Sequence, residues 1–434
     1  MADKLSRQLE LADLYFMGLG GQAPLLSILT FATAVLIYAL TFAPIAIAIG
    51  TLIVLLNGYV VYKLSARFSE PGGYYAYAFS SLSKRLGFET GWLYLFYSVL
   101  YGSAYLVGGA FLITYIVHIP IAFSLLLVLA TAALFVIFGI KPSAKYAIFA
   151  ASLEVLFLVL IAVFGIKAAG FKIYNPIAAV PSLGSIALAI LFAIGIPTGY
   201  GTLTPLSGEA KKPRHIGVAV IGVILIGGAL AAFAVYGLSD ALLSLHETNL
   251  LSTEFPALYV IKQMFGPYAV LLLLLAVFND SVLGVLAFMT ASSRTIFAMA
   301  SKGHLHSSLA ELRSGKPINA AALSILAYAC LGLVALSPAG AFNTFMSFAI
   351  VSALGGLFVH LAADTSLIRL SFGRRPMYIS MAAALASLAQ LALGIMFASP
   401  VLVYAFFVWI IIGFFYLEVI DFVSRRRRRR KFQK

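Results

Sequence analysis

Long apolar blocks alternate with short polar connections from one end of this chain to the other. Each block runs for about 20 residues or more, the length a helix rising ~1.5 Å per residue needs to cross a ~30 Å hydrocarbon core. Twelve blocks can be marked, at roughly 14–37, 41–66, 88–118, 121–140, 144–168, 184–206, 215–238, 268–299, 317–337, 341–369, 377–397 and 400–423. They are continuously apolar, whereas strands of a membrane β-barrel would alternate apolar and polar positions over segments of about ten residues. The pattern predicts an all-α polytopic membrane protein of about 12 transmembrane helices, forming a single transmembrane domain over residues 1–434.

Composition agrees: 62% of residues are hydrophobic and 10% charged, against about 45–50% and about 25% in a soluble domain. Charge then orients the spans, because short cytoplasmic connections concentrate Lys and Arg. Of the 29 basic residues, all but Lys167, Lys172 and Lys262 lie at alternate connections or at the termini. Both termini are therefore expected in the cytoplasm, and a missed or false span would have scrambled the alternation downstream. The net charge of +14 reads as topology. Its spread over separate segments argues against nucleic acid as a partner.

The basic tail, residues 424–434, carries the run Arg425 to Arg430, a topological stop signal or a site for anionic lipid headgroups. A multi-pass location in the plasma membrane is expected. Cys330 is the only cysteine, so no intramolecular disulfide framework exists, and a small packing role inside the ninth span is expected of it. Residues 1–13 mix Lys4, Arg7, Asp3, Glu10 and Asp13 and show no signal-peptide pattern. A short amphipathic helix with Leu5, Leu9 and Ala12 on one side is expected there.

Two blocks are interrupted in a way the others are not. The first contains Gly18-Leu19-Gly20-Gly21-Gln22-Ala23-Pro24, and the sixth contains Gly195-Ile196-Pro197-Thr198-Gly199-Tyr200-Gly201. Glycine and proline weaken or remove helical hydrogen bonds, so each run predicts an unwound stretch at membrane depth. Such backbone is tolerated only where it is buried in protein or lines a cavity. Spans one and six open two five-span halves, about 14–168 and 184–369, and an odd span number forces the halves into opposite orientation. Helices 377–397 and 400–423 trail behind.

Paired breaks at matching places in inverted halves point to a binding site near the bilayer midplane. Gly18, Gly20, Gly21, Gln22 and Ala23, with Gly195, Ile196, Thr198, Gly199 and Tyr200, are the candidate substrate-binding residues. Freed N–H groups suit a carboxylate and freed carbonyls an ammonium group or a cation. Close helix packing is the plainer use of such glycines. The first run also matches G-x-G-x-x-A, but no strand precedes it, which excludes a dinucleotide fingerprint.

Four places in the chain resemble the amino acid-polyamine-organocation superfamily of permeases. Arg67-Phe68-Ser69-Glu70-Pro71-Gly72-Gly73-Tyr74-Tyr75-Ala76-Tyr77 is similar to that family's R-F-P-x-x-G-G-x-Y-x-Y signature. Ser207-Gly208-Glu209-Ala210-Lys211-Lys212-Pro213-Arg214 resembles its E-E-x-K-x-P-R segment, and Ser293-Arg294-Thr295-Ile296-Phe297-Ala298-Met299-Ala300-Ser301-Lys302-Gly303 its S-R-x-x-Y-A-M-A-x-D-G segment. The glycine-rich first span is the fourth. It departs from the family's G-x-G-x-x-x-G-x-G-I-F, and Pro24 removes a backbone donor where the family binds a carboxylate. The resemblance implies a five-plus-five inverted-repeat fold with discontinuous helices one and six, alternating access, and coupling to H⁺ or Na⁺.

Ionisable residues inside spans are functional candidates, because a charge at the bilayer centre costs at least ~2.5–3.5 kcal/mol. Glu154 has apolar neighbours throughout and is a candidate proton carrier or cation ligand; by resemblance it falls where some proton-coupled members carry a lysine. Asp280, beside Asn279 in span eight, is a candidate for a cationic substrate group or for the coupling ion. Packing hydrogen bonds are the alternative for both acids. Tyr97, Tyr101 and Tyr105 share one face of span three, with Tyr101 the candidate for lining the pathway. His360 and Asp364, four apart, are expected to form an interior ion pair.

No zinc-type cluster or P-loop pattern occurs in the sequence, so no metal, cofactor or enzymatic activity is expected. The expected function is secondary transport of an amino acid or related amine. A transporter-derived sensor or scaffold without transport is the competing expectation.

Overall fold

The computed structural model describes residues 5–244, 258, 259, 261, 266 and 269–432, apart from the side chains of 269, 270, 421 and 423–432. Asp3, Lys4, Lys262 and the side chains of the Arg425–Arg430 run thus lie outside the described residues. Among the described residues the secondary structure is helical, with two isolated bridges, Leu9 to Ala210 and Arg313 to Lys316.

The helices are α1 (Leu11–Gln22), α2 (Pro24–Ser27), α3 (Thr33–Ala39), α4 (Ala43–Ser65), α5 (Tyr74–Ser81), α6 (Lys84–Val117), α7 (Ile121–Phe138) and α8 (Ile140–Ala168). After them come α9 (Leu183–Ala193), α10 (Arg214–Ser244), α11 (Ala269–Ser301), α12 (Ile318–Val334), α13 (Ala341–Leu370), α14 (Arg375–Phe397) and α15 (Pro400–Phe432). A π-helical turn, Ile28–Ala32, joins α2 to α3, and two 3₁₀ segments, Ile196–Thr202 and Thr204–Gly208, follow α9.

Nine helical stretches among the described residues are long and apolar enough to cross a membrane, ten if the bent pair Leu183–Ala193 and Ile196–Gly208 forms one span. One of the nine is Leu11–Ser65, 55 residues long. At ~1.5 Å per residue it measures about 80 Å, more than twice the hydrocarbon thickness. Left-handed backbone interrupts it at Ala23 (φ 45°) and again at Leu40 (φ 48°). Helix α12 is also apolar but shorter than the other spans, at 17 residues.

Leu52, Leu126, Phe149, Leu271, Leu385 and Phe415 are exposed on the outer faces. Apolar surface of that extent needs hydrocarbon as its solvent. Inside, α6 is the central post, packing against α11, α13, α5 and α7, while α10 packs on α4 and α8. The α8–α10 contact is backbone against backbone: a Cβ on Gly165 would overlap Gly237, and one on Gly237 would lie 2.5 Å from the Ala162 carbonyl oxygen. Trp92 and Trp409 stack at 4.6 Å and each indole N–H donates to the other's carbonyl, at 3.0 and 3.1 Å. That reciprocal clasp fixes α15 to α6.

Two local expectations are corrected. Residues 5–8 are not helical; the Gln8 and Leu9 amides donate to the Glu209 carbonyl, and the Lys211 amide donates to that of Leu9. The apolar positions Leu5 and Leu9 are buried, but by a strand-like strap across the end of the sixth span rather than by a helix on a lipid surface. Cys330, expected to pack inside, is exposed on α12.

Candidate functional site

The first break is built by Pro24. Proline disfavours helical backbone in the residue before it, and Ala23 adopts the left-handed conformation between α1 and α2. The carbonyl of Gln22, freed from the helical ladder, accepts from the Tyr105 hydroxyl (2.5 Å) and the Ser27 hydroxyl (2.5 Å). On the other side of the break the Leu26 amide donates to Asp280 Oδ2 at 2.7 Å.

The second break begins at Gly195, and the chain bends by 41° there. Its carbonyls are capped in the same manner. Tyr101 donates to the Gly195 carbonyl, Tyr94 to that of Gly201 at 2.9 Å, and Thr202 to that of Gly199 at 2.7 Å. Buried carbonyls need such partners, since each orphan costs about 1–3 kcal/mol. One face of α6 therefore serves both breaks: Tyr94 and Tyr101 hold the second, Tyr105 the first.

The breaks also touch each other. A Cβ on Gly199 would overlap the Gln22 amide nitrogen and the Gly18 carbonyl oxygen, so only glycine lets the 3₁₀ segment pass this close to the last turn of α1; the first run, expected to unwind from Gly18 to Pro24, stays helical through Gln22 and is broken at Ala23 alone. Beside the crossing lies a cavity lined by Asn57, Tyr97, Tyr101, Gly195, Thr198, Tyr200, Gly356 and His360, with apolar walls from Ile53, Val54, Ile194, Ala353 and Leu357. Its free volume is about 30 Å³, room for about two waters. Ligand pockets run to about 300–1,000 Å³, so the cavity as it stands is too small for an amino acid.

The candidate residues sort into three groups around this geometry. Tyr101, Gly195, Thr198 and Tyr200 line the cavity. Gly18, Gly20, Gly21 and Gly199 are contact glycines, set against Leu203, Leu283, Thr202 and Gln22 respectively; Ala23 and Ile196 are buried beside them. Gln22 turns its side-chain amide toward Gly227 of α10, away from the lining.

Glu154, Asn279 and Asp280 form a separate buried network between α8, α11 and the first break. Asn279 Nδ2 donates to Glu154 Oε1 at 3.0 Å, and Tyr146 donates to Asn279 Oδ1 at 2.5 Å. Glu154 Oε2 and Asp280 Oδ1 have no hydrogen-bond partner among the described residues.

His360 and Asp364 share a face of α13 but form no ion pair. His360 Nε2 instead meets the Tyr200 hydroxyl at 2.8 Å, and neither Asp364 oxygen has a partner among the described residues. Asn57 and Gly356 line the cavity without having been singled out from sequence. Asn57, the one amide in an otherwise apolar block, carried a usable signal; it is held to Ser387 of α14 at 3.1 Å.

Toward the basic end of the bundle the motif-bearing segments meet. Arg294 grips Glu209 through two contacts, Nη2 to Oε1 at 2.9 Å and Nε to Oε2 at 3.1 Å, with side-chain exposures of 4% and 5%. Lys302 pairs with Glu70 at 3.0 Å, Lys141 with Asp13 at 2.6 Å, and Lys211 with Glu10. The exposed Lys211 ammonium, by hydrogen bond and charge, holds the Glu10 carboxyl below its usual range. A second cavity of about 400 Å³ lies here, bordered by Arg7, Glu70, Tyr75, Gly208, Phe297 and Lys302.

No curated protein matches the chain. The family model described as Amino acid permease matches residues 13–424, a range that takes in both breaks, the tyrosine face of α6 and all of the ion-paired motif segments except Glu10. A polytopic helical bundle with two interrupted helices in close contact and a cavity beside the second is in keeping with that description, and the chain belongs to the amino acid permease family.

Proposed function

We propose that this chain is a secondary active transporter that moves an amino acid or related amine across the plasma membrane by alternating access. One observation carries the reading: two interrupted helices meet closely, tyrosines of a single helix cap their freed carbonyls, and the second break lines a buried cavity. Interrupted backbone at membrane depth is tolerated where it is buried in protein or lines a cavity, and here the second break lines the cavity that would hold the solute.

In this reading the membrane is crossed twelve times, with Leu11–Ser65 turning back at Leu40 and α12 completing the set. The spans form two inverted five-helix halves, about 14–168 and 184–369, followed by α14 and α15, with both termini cytoplasmic. Glu154, Asn279 and Asp280 are the coupling group for H⁺ or Na⁺. The hydrogen bond from the Leu26 amide to Asp280 supports the role, because occupancy of that acid would be felt at the first break.

Uptake of labelled amino acids and amines into proteoliposomes under imposed H⁺ or Na⁺ gradients tests the proposal. Accumulation above equilibrium is expected with one of the two gradients. Glu154→Gln should abolish that accumulation while leaving solute exchange measurable, and unchanged gradient-driven accumulation would remove Glu154 from the coupling step. A sensor without transport would show no uptake under any gradient.

A further inference from the structure

The ionisable groups buried in the bundle are unequal in sign. Arg294 is matched by Glu209 and Asp13 by Lys141. The other buried ionisable side chains among the described residues are the acids Glu154, Asp240, Asp280 and Asp364 and the base His360. A protein with a formal charge of +14 thus has an acidic interior.

Among these acids Asp364 stands apart in its surroundings. Glu154 and Asp280 each accept one hydrogen bond, from Asn279 and Leu26, whereas both oxygens of Asp364 lack a partner although the residue is fully buried. It sits one helical turn beyond His360 on the same face of α13; His360 lines the cavity, while Asp364 and Tyr74 stand outside that lining. Tyr200, also in the lining, is near enough to Asp364 for the two to interact electrostatically. The rings of Tyr74 and Tyr200 stand 5.2 and 5.7 Å from the His360 ring, and His360 Nδ1 has no partner.

A buried carboxyl group without a hydrogen-bond partner, one turn from a histidine that two phenol rings flank, is the complement of an ammonium group. Such a group brings three donors, and its charge is attracted both by carboxylate oxygens and by the faces of phenol rings. The first break offers little to the opposite charge, since Pro24 has no N–H to give and the Leu26 amide is taken by Asp280.

We propose that Asp364, with His360, Tyr74 and Tyr200, forms an ammonium subsite on the basic side of the cavity, and that the transported solute is an organic cation. The proposal rests on the transporter reading of the same cavity. It selects, within that reading, cationic amino acids and diamines over zwitterions with neutral side chains.

The test uses the full chain purified in detergent, with thermal unfolding followed in the presence of L-lysine, L-arginine or putrescine, and of L-alanine, L-leucine or L-glutamate, at matched ionic strength. Competition by the same compounds against labelled L-lysine or L-leucine uptake into proteoliposomes is measured alongside. The cations should raise the unfolding midpoint and compete, and the neutral and acidic compounds should not. Asp364→Asn should weaken the cations by about tenfold or more, the usual result of removing one partner of a buried charge pair, with the ligand-free midpoint little changed.

Binding and uptake of neutral amino acids that Asp364→Asn leaves intact would overturn the subsite while the transporter reading stands. Failure of every compound to bind or enter would remove both. If Asp364→Asn does not fold, the wild-type preference decides, since a neutral-selective profile contradicts the proposal and a cation-selective one supports it. Asp364→Glu, which keeps the charge, should then retain that selectivity.

Discussion

Replacing Glu209 by glutamine would leave the Arg294 guanidinium buried without its counter-charge. The pair is held by two short contacts at 2.9 and 3.1 Å, and its side chains are 4% and 5% exposed. At 2.9 Å and an effective dielectric of about 20, the attraction is about 6 kcal/mol. Desolvation costs several kcal/mol for each ion. The intact pair is thus close to neutral for stability, but an orphaned Arg294 should cost about 3–5 kcal/mol. Taking ~2.1 cal/mol/K per residue of unfolding entropy over the 434 residues, the unfolding midpoint of Glu209→Gln in detergent should fall by about 3–5 °C. The double variant Glu209→Leu/Arg294→Met should unfold closer to wild type than either single variant, giving a coupling energy of about 3 kcal/mol in a double-mutant cycle. A Glu209→Gln midpoint within about 1 °C of wild type, or additive single effects, would mean that the pair is solvated and does not lock the sixth span to α11.

Three further outcomes follow from other parts of the bundle. Gly199→Ala places a methyl group onto the Gln22 amide and the Gly18 carbonyl; overpacking of this kind costs about 1–3 kcal/mol, and solute uptake should fall with it, so full uptake by this variant would show that the breaks do not need their close crossing. Tyr101→Phe withdraws one of the hydroxyls that cap the second break and should destabilise the protein by about 1–3 kcal/mol in detergent unfolding, whereas a loss within error would mean that the Gly195 carbonyl is otherwise satisfied. The Glu10 carboxyl is held below its ordinary value by Lys211, so its tether on the N-terminal strap is complete above the unfolded-state value near 4.5 and is lost as pH falls through the lowered folded value. Amide exchange at Gln8 and Leu9 should rise over that acidic window, and Glu10→Gln should remove the pH dependence; exchange that is flat in both proteins would contradict the tether.

The spans were legible because a bilayer demands a run of fixed length; most observed helices start and stop within a few residues of the apolar blocks, while α10 and α15 run on to Ser244 and Phe432. The breaks were legible because Pro24 and Pro197 interrupt the helical hydrogen bonds, although the glycine run before Pro24 stays helical as far as Gln22 and serves close packing. What periodicity does not carry is which neighbour a face meets. Tyr97, Tyr101 and Tyr105 could be placed on one side of α6, but that Tyr101 reaches the second break while Tyr105 reaches the first depends on how three helices cross. Tyr94 was invisible for the same reason. The pairing of His360 with Asp364 was inferred from a four-residue spacing, and Tyr200 from another span takes the imidazole instead. Residues 5–9 have the spacing of an amphipathic helix, yet the amides there find the carbonyl of Glu209, a partner 200 residues away that no local pattern announces.

If the cavity beside the second break is the transport site, filling it stops transport. Thr198→Phe adds a ring to a lining of about 30 Å³ free volume and leaves Glu154, Asn279, Asp280 and the basic-end ion pairs in place. Labelled amino acid and amine uptake should be measured for this variant and wild type in proteoliposomes under H⁺ and Na⁺ gradients, with equal incorporation of folded protein. Gradient-driven uptake by the wild type and its loss in Thr198→Phe is the predicted result. Uptake in Thr198→Phe equal to wild type, or no uptake of any such solute by the wild type, would contradict the account.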